Sequence, residues 1–228
     1  MGSSAERVLV SWSGGKDSAL ALHEVLKSGT LLVVALLTTV TEDYDRISMH
    51  GVRRALLEQQ ASSLGLPLEK VLIPRNASND DYERNWESVL TNYKDEGVQT
   101  VVFGDIFLED LRKYREEKLA TVGMKGVFPL WMRGTKELAR SLISLGFKAI
   151  TTCVDTSVLG KEFVGRVVDE QFLADLPAFV DPCGENGEFH SFVYDGPIFK
   201  EAVRFSVGEK LLRDERFYFC DLVPEWGE

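Results

Sequence analysis

The sequence predicts an α/β protein with a parallel sheet at its core and a smaller region of mixed structure toward its C-terminal side. Three observations lead there. From residue 7 to about residue 155, short β-rich apolar runs alternate with stretches of helical periodicity. Most of those runs are nearly continuous in apolar residues, as strands covered on both faces are. Beyond residue 155 the alternation fails, because Gly160, Gly165, Pro177, Pro182, Gly184, Gly187, Gly196 and Pro197 break the chain into short pieces.

The elements follow in order. Strands are expected at 7–12, 31–39, 70–74, 100–104, 126–130 and 148–154. A helix of good formers runs from 19 to 27 before Gly29, and another from about 49 to 64, where Gly65 and Pro67 stop it. Tyr82, Trp86, Val89, Leu90 and Tyr93 fall at helical spacing behind the cap candidates Ser78 and Asn79, and Leu138, Leu142 and Leu145 do so before Gly146. The expected division is a nucleotide-binding α/β domain over residues 1–155 and a region shaping a second site over 156–228.

Composition narrows the function classes. The 36 acidic residues outnumber the 26 basic ones for a formal net charge of -10, which opposes any partner gripped through many phosphates, so no nucleic acid is expected. The longest apolar run, Leu31 to Leu37, is far short of the ~20 residues that span a bilayer. No basic-then-apolar signal opens the chain, and a cytoplasmic protein without a membrane partner is expected. Cys153, Cys183 and Cys220 are widely spaced and odd in number, which reads as reduced thiols.

The chemistry starts at residue 8. Val8-Leu9-Val10-Ser11-Trp12 is an extended apolar run, Ser13-Gly14-Gly15-Lys16-Asp17-Ser18 follows directly, and a helix begins behind it. Paired glycines let the backbone turn its N–H groups inward, and the helix start adds unpaired amides and a positive dipole end, which together hold a phosphate group. Lys16 adds a cation, Ser13 and Ser18 add hydroxyls, and Asp17 can hold Mg²⁺ against phosphate oxygens. The spacing Gly-x-x-x-x-Gly-Lys-Ser/Thr of the common mononucleotide loop is absent, as is Gly-x-Gly-x-x-Gly. The string resembles the loop of the PP-loop ATP pyrophosphatases. That resemblance implies an adenine nucleotide alpha hydrolase-like, Rossmann-like domain that binds ATP and releases AMP and pyrophosphate.

A second segment, Asp181-Pro182-Cys183-Gly184-Glu185-Asn186-Gly187-Glu188-Phe189-His190-Ser191-Phe192-Val193-Tyr194-Asp195-Gly196-Pro197, reads as a turn feeding a strand, with Phe189, Ser191 and Val193 on one face and His190, Phe192 and Tyr194 on the other. It resembles the C-terminal signature of the diphthine–ammonia ligase family, Glu-Gly-Gly-Glu-Phe/Tyr-Glu-Thr. Gly104-Asp105-Ile106, Arg115 with Glu117, Pro129-Leu130-Trp131 with Arg133, Gly146-Phe147 and Gly165-Arg166 are similar to that family's landmarks in its order.

The resemblance implies an ATP- and Mg²⁺-dependent ligase that adenylates a carboxylate and passes the acyl group to ammonia. It implies Lys16, Asp17, Glu185, Glu188 and His190 as catalytic candidates, with Asp17 also as metal ligand. Ser13, Gly14, Gly15, Lys16, Asp17, Ser18, Gly104 and Asp105 are then the nucleotide site, and Arg115, Arg133, Glu185 and Glu188 the substrate contacts. A planar guanidinium suits a carboxylate or an α-phosphate. His50 stands near the expected adenylate pocket, and His23 reads as structural.

Asn186 and His190 depart from the family's Gly and Glu. Losing an acid weakens the case for a trimethylammonium-bearing diphthine, and the His-bearing variant is similar to the family's bacterial branch, which opens a corrinoid-like carboxylate as the alternative acceptor. A homodimer is compatible with the sequence. Two other readings stay open: a tRNA-thiolating enzyme, which usually needs a cysteine pair and a basic face, and a non-catalytic module that binds AMP or ATP.

Overall fold

The computed structural model describes residues 5–41, 46–47, 51–74 and 78–225. Five parallel strands, β1 (Glu6–Ser11), β2 (Leu31–Thr41), β4 (Leu68–Ile73), β5 (Thr100–Val102) and β6 (Lys125–Val127), lie in the order β4-β2-β1-β5-β6, and the short antiparallel β3 (Arg46–Ile47) pairs with the end of β2. Alternation along β1 explains why the sheet is covered twice. Val8 and Val10 join a core with Leu20, Leu22, Leu56 and Leu57, from α1 (Lys16–Ser28) and α2 (Arg54–Leu64). Leu9, between them, joins the opposite core with Leu90 of α3 (Asn79–Asp95) and Leu119 of α4 (Glu109–Thr121).

The chain leaves β1 toward β2 on one side and returns through α3 to β5 on the other. The reversal opens a crevice beyond the C-terminal ends of β1 and β5, where open α/β sheets place ligands. The sequence expectation of a parallel α/β architecture is met here. Two elements differ. Helix α4 has no apolar stripe to announce it, since Leu111, Tyr114 and Leu119 are its only large apolar or aromatic residues among four acids and four bases. The helix expected from about 49 begins at Arg54; residues 48–50, including His50, lie outside the described residues.

Strand β7 (Lys148–Asp155), expected beside the parallel strands, stands in a second sheet. Its antiparallel order is β8 (Phe189–Asp195), β7, β10 (Phe217–Pro224), β9 (Phe205–Arg213). A continuous apolar run reads alike in either sheet, because β7 is buried on both faces too. Helix α5 (Thr135–Ser144) precedes it, and α6 (Glu170–Asp175) packs Phe172 edge-to-face against Phe163 and Phe189. Ala149, Ile150, Phe189 and Val193 share one apolar core with α1 and α2, so the second sheet is bound to the first through the face that carries the phosphate loop. Among the described residues no helix is long and apolar enough to cross a membrane.

Candidate active site

Strand β1 ends at Ser11, and the chain turns at Gly14, whose φ of 77° favours glycine. Gly15 is the N-cap of α1 and offers no side chain to cap it. Beyond the Lys16 amide, which donates to Ser191 Oγ, the first turn of α1 therefore keeps amides for an anionic ligand. Ser13 Oγ receives the Gly15 N–H at 3.3 Å and lies 3.3 Å from Ser18 Oγ, which donates to the Gly15 carbonyl at 2.9 Å.

Gln60 of α2 holds this turn from beneath. It is fully buried, accepts from Trp12 Nε1 at 2.9 Å, and donates to the carbonyls of Gly14 at 3.0 Å and Val193 at 2.5 Å. Strand β8 grips the same turn: the Val193 N–H donates to the Gly14 carbonyl at 2.9 Å, and the Lys16 N–H donates to Ser191 Oγ at 3.3 Å. Sequence reasoning missed Gln60 and the Ser191 contact. The signal for Gln60 was present, a polar residue three and four places after Leu57 and Leu56 on a helix's apolar face.

A cavity of about 420 Å³ opens between this loop and the second sheet. Its wall includes Ser13, Gly15, Lys16, Asp17 and Ser18 from the loop, Gly104 and Asp105 from the segment after β5, Arg115 from α4, and Glu185, His190 and Ser191 from the C-terminal segment. Two segments more than 160 residues apart thus face one space.

Inside, Lys16 Nζ pairs with Asp17 Oδ2 at 2.8 Å and lies 5.1 Å from the centre of the Phe189 ring. Burial works against the Lys16 charge, but Asp17 and Glu185 outweigh it and raise its pKa. Asp17 is raised as well: burial is the largest cause, and Asp181 and Asp105 add to it against the pull of Lys16. Its Oδ1 is buried without a hydrogen bond. Asp105 stands 2.7 Å from Arg115, whose guanidinium lies 4.5 Å over the Phe103 ring.

The two glutamates of the C-terminal segment do different things. Glu185 reaches across to the segment between β5 and α4, accepting from the N–H of Ile106 at 2.7 Å and of Phe107 at 3.4 Å, both on Oε1. Burial, aided by Asp17, pushes its pKa up to about 7 despite those bonds. Glu188 is 6 % exposed and turned into its own loop, accepting from the N–H of Asp181 and Asn186 at 3.1 and 3.0 Å and from Asn186 Nδ2 at 2.9 Å. It is absent from the cavity wall, where it was expected.

His190 lines the cavity, and burial, with the Lys16 charge, pushes its pKa down to about 4, so the ring is neutral. Asn186 serves the Glu188 clasp, so of the two departures only His190 reaches the cavity. Arg133 lies outside the wall, 3.4 Å from Glu24 of α1. Leu130 is fully buried and Trp131 packs against Phe128 at 6.0 Å, so this segment closes the end of a strand. The three cysteines are free and buried.

Comparison with known proteins matches the chain to one family in two parts. The model for the diphthamide synthase N-terminal domain matches residues 6–126, and that for its C-terminal domain matches residues 134–222. A diphthine–ammonia ligase of Schizosaccharomyces pombe is 27% identical over 249 residues, covering 96% of this chain and 40% of the yeast protein. Human diphthine–ammonia ligase is 25% identical, covering 86% of this chain and 82% of its own length. The Danio rerio protein of that name is 26% identical, with 92% and 90% covered. The chain thus spans less than half of the fission-yeast relative.

Proposed function

Because this chain belongs to the diphthamide synthase family, we infer that it is an ATP-dependent amide ligase that adenylates a carboxylate, transfers the acyl group to ammonia, and releases AMP and pyrophosphate. The observation that carries the reading is the meeting of the loop Ser13–Ser18 and Glu185 in one cavity, with the Lys16 amide bonded to Ser191.

The phosphate loop holds the leaving group. The amides of the first turn of α1 beyond Lys16 and the buried Lys16 ammonium take up negative charge as the bond between the α- and β-phosphates breaks. Asp17 suits Mg²⁺ by its buried, unpartnered Oδ1. Among the described residues no group of three His, Cys, Asp or Glu side chains stands together, and Asp17 would be the residue that holds the cation. When bound, Mg²⁺ neutralises charge on the pyrophosphate.

Arg115 stands at the cavity edge, where its guanidinium can align the substrate carboxylate for attack on the α-phosphorus. Glu185 serves the second half-reaction. With a pKa near 7 it accepts a proton from ammonium, and the freed nitrogen lone pair attacks the acyl carbon as the bond to AMP breaks. Glu188 keeps the turn that presents Glu185.

A diphthine-like acceptor follows the relatives' names. The corrinoid-like alternative draws on His190, a neutral ring beside Lys16 where the family's pattern has a carboxylate. The test is a screen of pyrophosphate release with ATP, Mg²⁺ and ammonium against both classes of carboxylate, followed by mass detection of the amide. An amide that depends on both ATP and ammonium is the expected result. Nucleotide binding without pyrophosphate release under every carboxylate would leave a non-catalytic module instead.

A further inference from the structure

A second cavity, about 490 Å³, opens between α5 and α6. Its volume falls within the range of small-molecule sites, roughly 300–1,000 Å³, and the nucleotide chemistry makes no use of it. Leu173 and Leu176, at the end of α6, and Val180 and Pro182, in the chain that follows, give it an apolar lining. Lys136 and Arg140 of α5 line it as well, with Glu170 of α6 as the acid in the wall. The two cations lack partners. They are exposed and stand four residues apart, on one face of α5, where like charges repel. Neither makes an ion pair among the described residues, although the chain carries a formal net charge of -10.

The place of this cavity gives it a route to the reaction. Pro182 lines it, while Gly184 and Glu185 line the phosphate cavity, so one short segment forms part of both walls. That segment is held by specific bonds. Cys183 Sγ donates to the carbonyl of Thr135, the neighbour of Lys136, at 3.3 Å, and the N–H groups of Cys183 and Glu185 donate to Asp181 Oδ1 at 2.9 and 3.2 Å. A shift at Pro182 therefore reaches the Glu185 backbone through bonded neighbours.

We propose that this cavity binds a small anion with an apolar body, its head at Lys136 and Arg140 and its body on Leu173, Leu176 and Val180, and that its occupancy steadies the segment presenting Glu185. A guanidinium and an ammonium on one helix face suit a carboxylate, sulfonate or phosphate head. The apolar lining favours a ligand with a hydrocarbon part, which a bare inorganic anion lacks. The effect on Glu185 rests on the ligase reading; the binding does not.

The probes are octane-1-sulfonate, which is not a carboxylate and so is no acyl donor for the ligase, its neutral counterpart 1-octanol, and inorganic phosphate, each titrated by calorimetry into the full chain. The expected result is binding of the sulfonate at least roughly tenfold tighter than of either other probe. That preference is lost in the double variant Lys136→Gln, Arg140→Gln, whose exposed side chains are not needed for folding, while ATP affinity is unchanged. Equal binding of sulfonate and octanol, phosphate binding as tight as sulfonate, or a preference kept in the double variant overturns the site. In the amide assay, saturating sulfonate should lower the KM for ammonium by about fivefold at unchanged KM for ATP, in the parent protein and not in the double variant. An ammonium KM unmoved by bound sulfonate overturns the link to Glu185. Sulfonate binding that depends on Lys136 and Arg140, without pyrophosphate release under any carboxylate, upholds the site and removes the ligase.

Discussion

Gly104 meets the backbone of Asp17 so closely that a Cβ at position 104 would lie 2.8 Å from the Asp17 carbonyl carbon and oxygen and 3.0 Å from the Ser18 nitrogen. The segment just after β5 therefore seats the first turn of α1, and glycine is what permits it. These neighbours are backbone atoms and cannot swing aside. Gly104→Ala should displace the turn at a cost of about 1–3 kcal/mol, and much of that strain falls on the phosphate site. Calorimetric titration should show ATP binding weakened roughly tenfold or more; unchanged affinity would mean that the loop does not depend on this seat.

Gln60 links three elements through one amide. Gln60→Leu keeps the volume but leaves Trp12 Nε1 and the Val193 carbonyl without their partner in a dry core. The expected loss is about 2–4 kcal/mol, seen as a lower urea midpoint at unchanged slope, together with weaker ATP binding because the Gly14 turn loses its floor. A midpoint equal to the parent protein's would remove Gln60 from this role.

Local sequence carries some of this arrangement and hides the rest for a physical reason. Ser13–Ser18 is legible because its chemistry lies within a few consecutive residues, and Glu185 through the resemblance its segment carries. The tie between Gln60 and Val193 spans 133 positions, and nothing near either residue announces it. Helix α4 escapes because its exposed faces are charged all round, and Arg115 could be singled out only by resemblance. Glu188 carries the same carboxylate as Glu185 three residues earlier. What separates them is direction: Glu185 crosses to the Ile106 amide while Glu188 turns back to Asn186. The β7 run fits either sheet by its apolarity, and the pairing with β8 and β10 decides it.

His190 gives a pH signature. Its folded pKa, about 4, lies below the ordinary value of 6.5 because burial and Lys16 disfavour the imidazolium. Between those values the unfolded chain binds the proton and the folded chain does not. The contribution is therefore present above pH 6.5 and is lost as pH falls toward 4, by roughly 3 kcal/mol. His190→Gln should flatten that part of the stability curve when unfolding is followed from pH 7 to pH 4. The same neutrality means that no limb of the activity profile between pH 6 and 9 belongs to His190.

Glu185 and Glu188 are separable by experiment. Glu185 has its pKa raised from 4.5 to about 7, so the linkage runs the other way: its contribution is complete below 4.5 and is lost as pH rises through about 7. Glu185→Gln, which cannot ionise, should gain stability relative to the parent at pH 8 and not at pH 4. As the proton acceptor for ammonium, the carboxylate must be ionised, so ammonium-dependent amide formation should rise with pH through an apparent value near 7. Glu185→Gln should lose that step by 10²-fold or more while still binding ATP. Glu188→Gln keeps an oxygen to accept two of its three bonds at most and should lower stability by about 1–2 kcal/mol, with the pH limb intact. If the two variants lose the amide step equally and Glu185→Gln keeps the limb near 7, the proton acceptor lies elsewhere in the cavity.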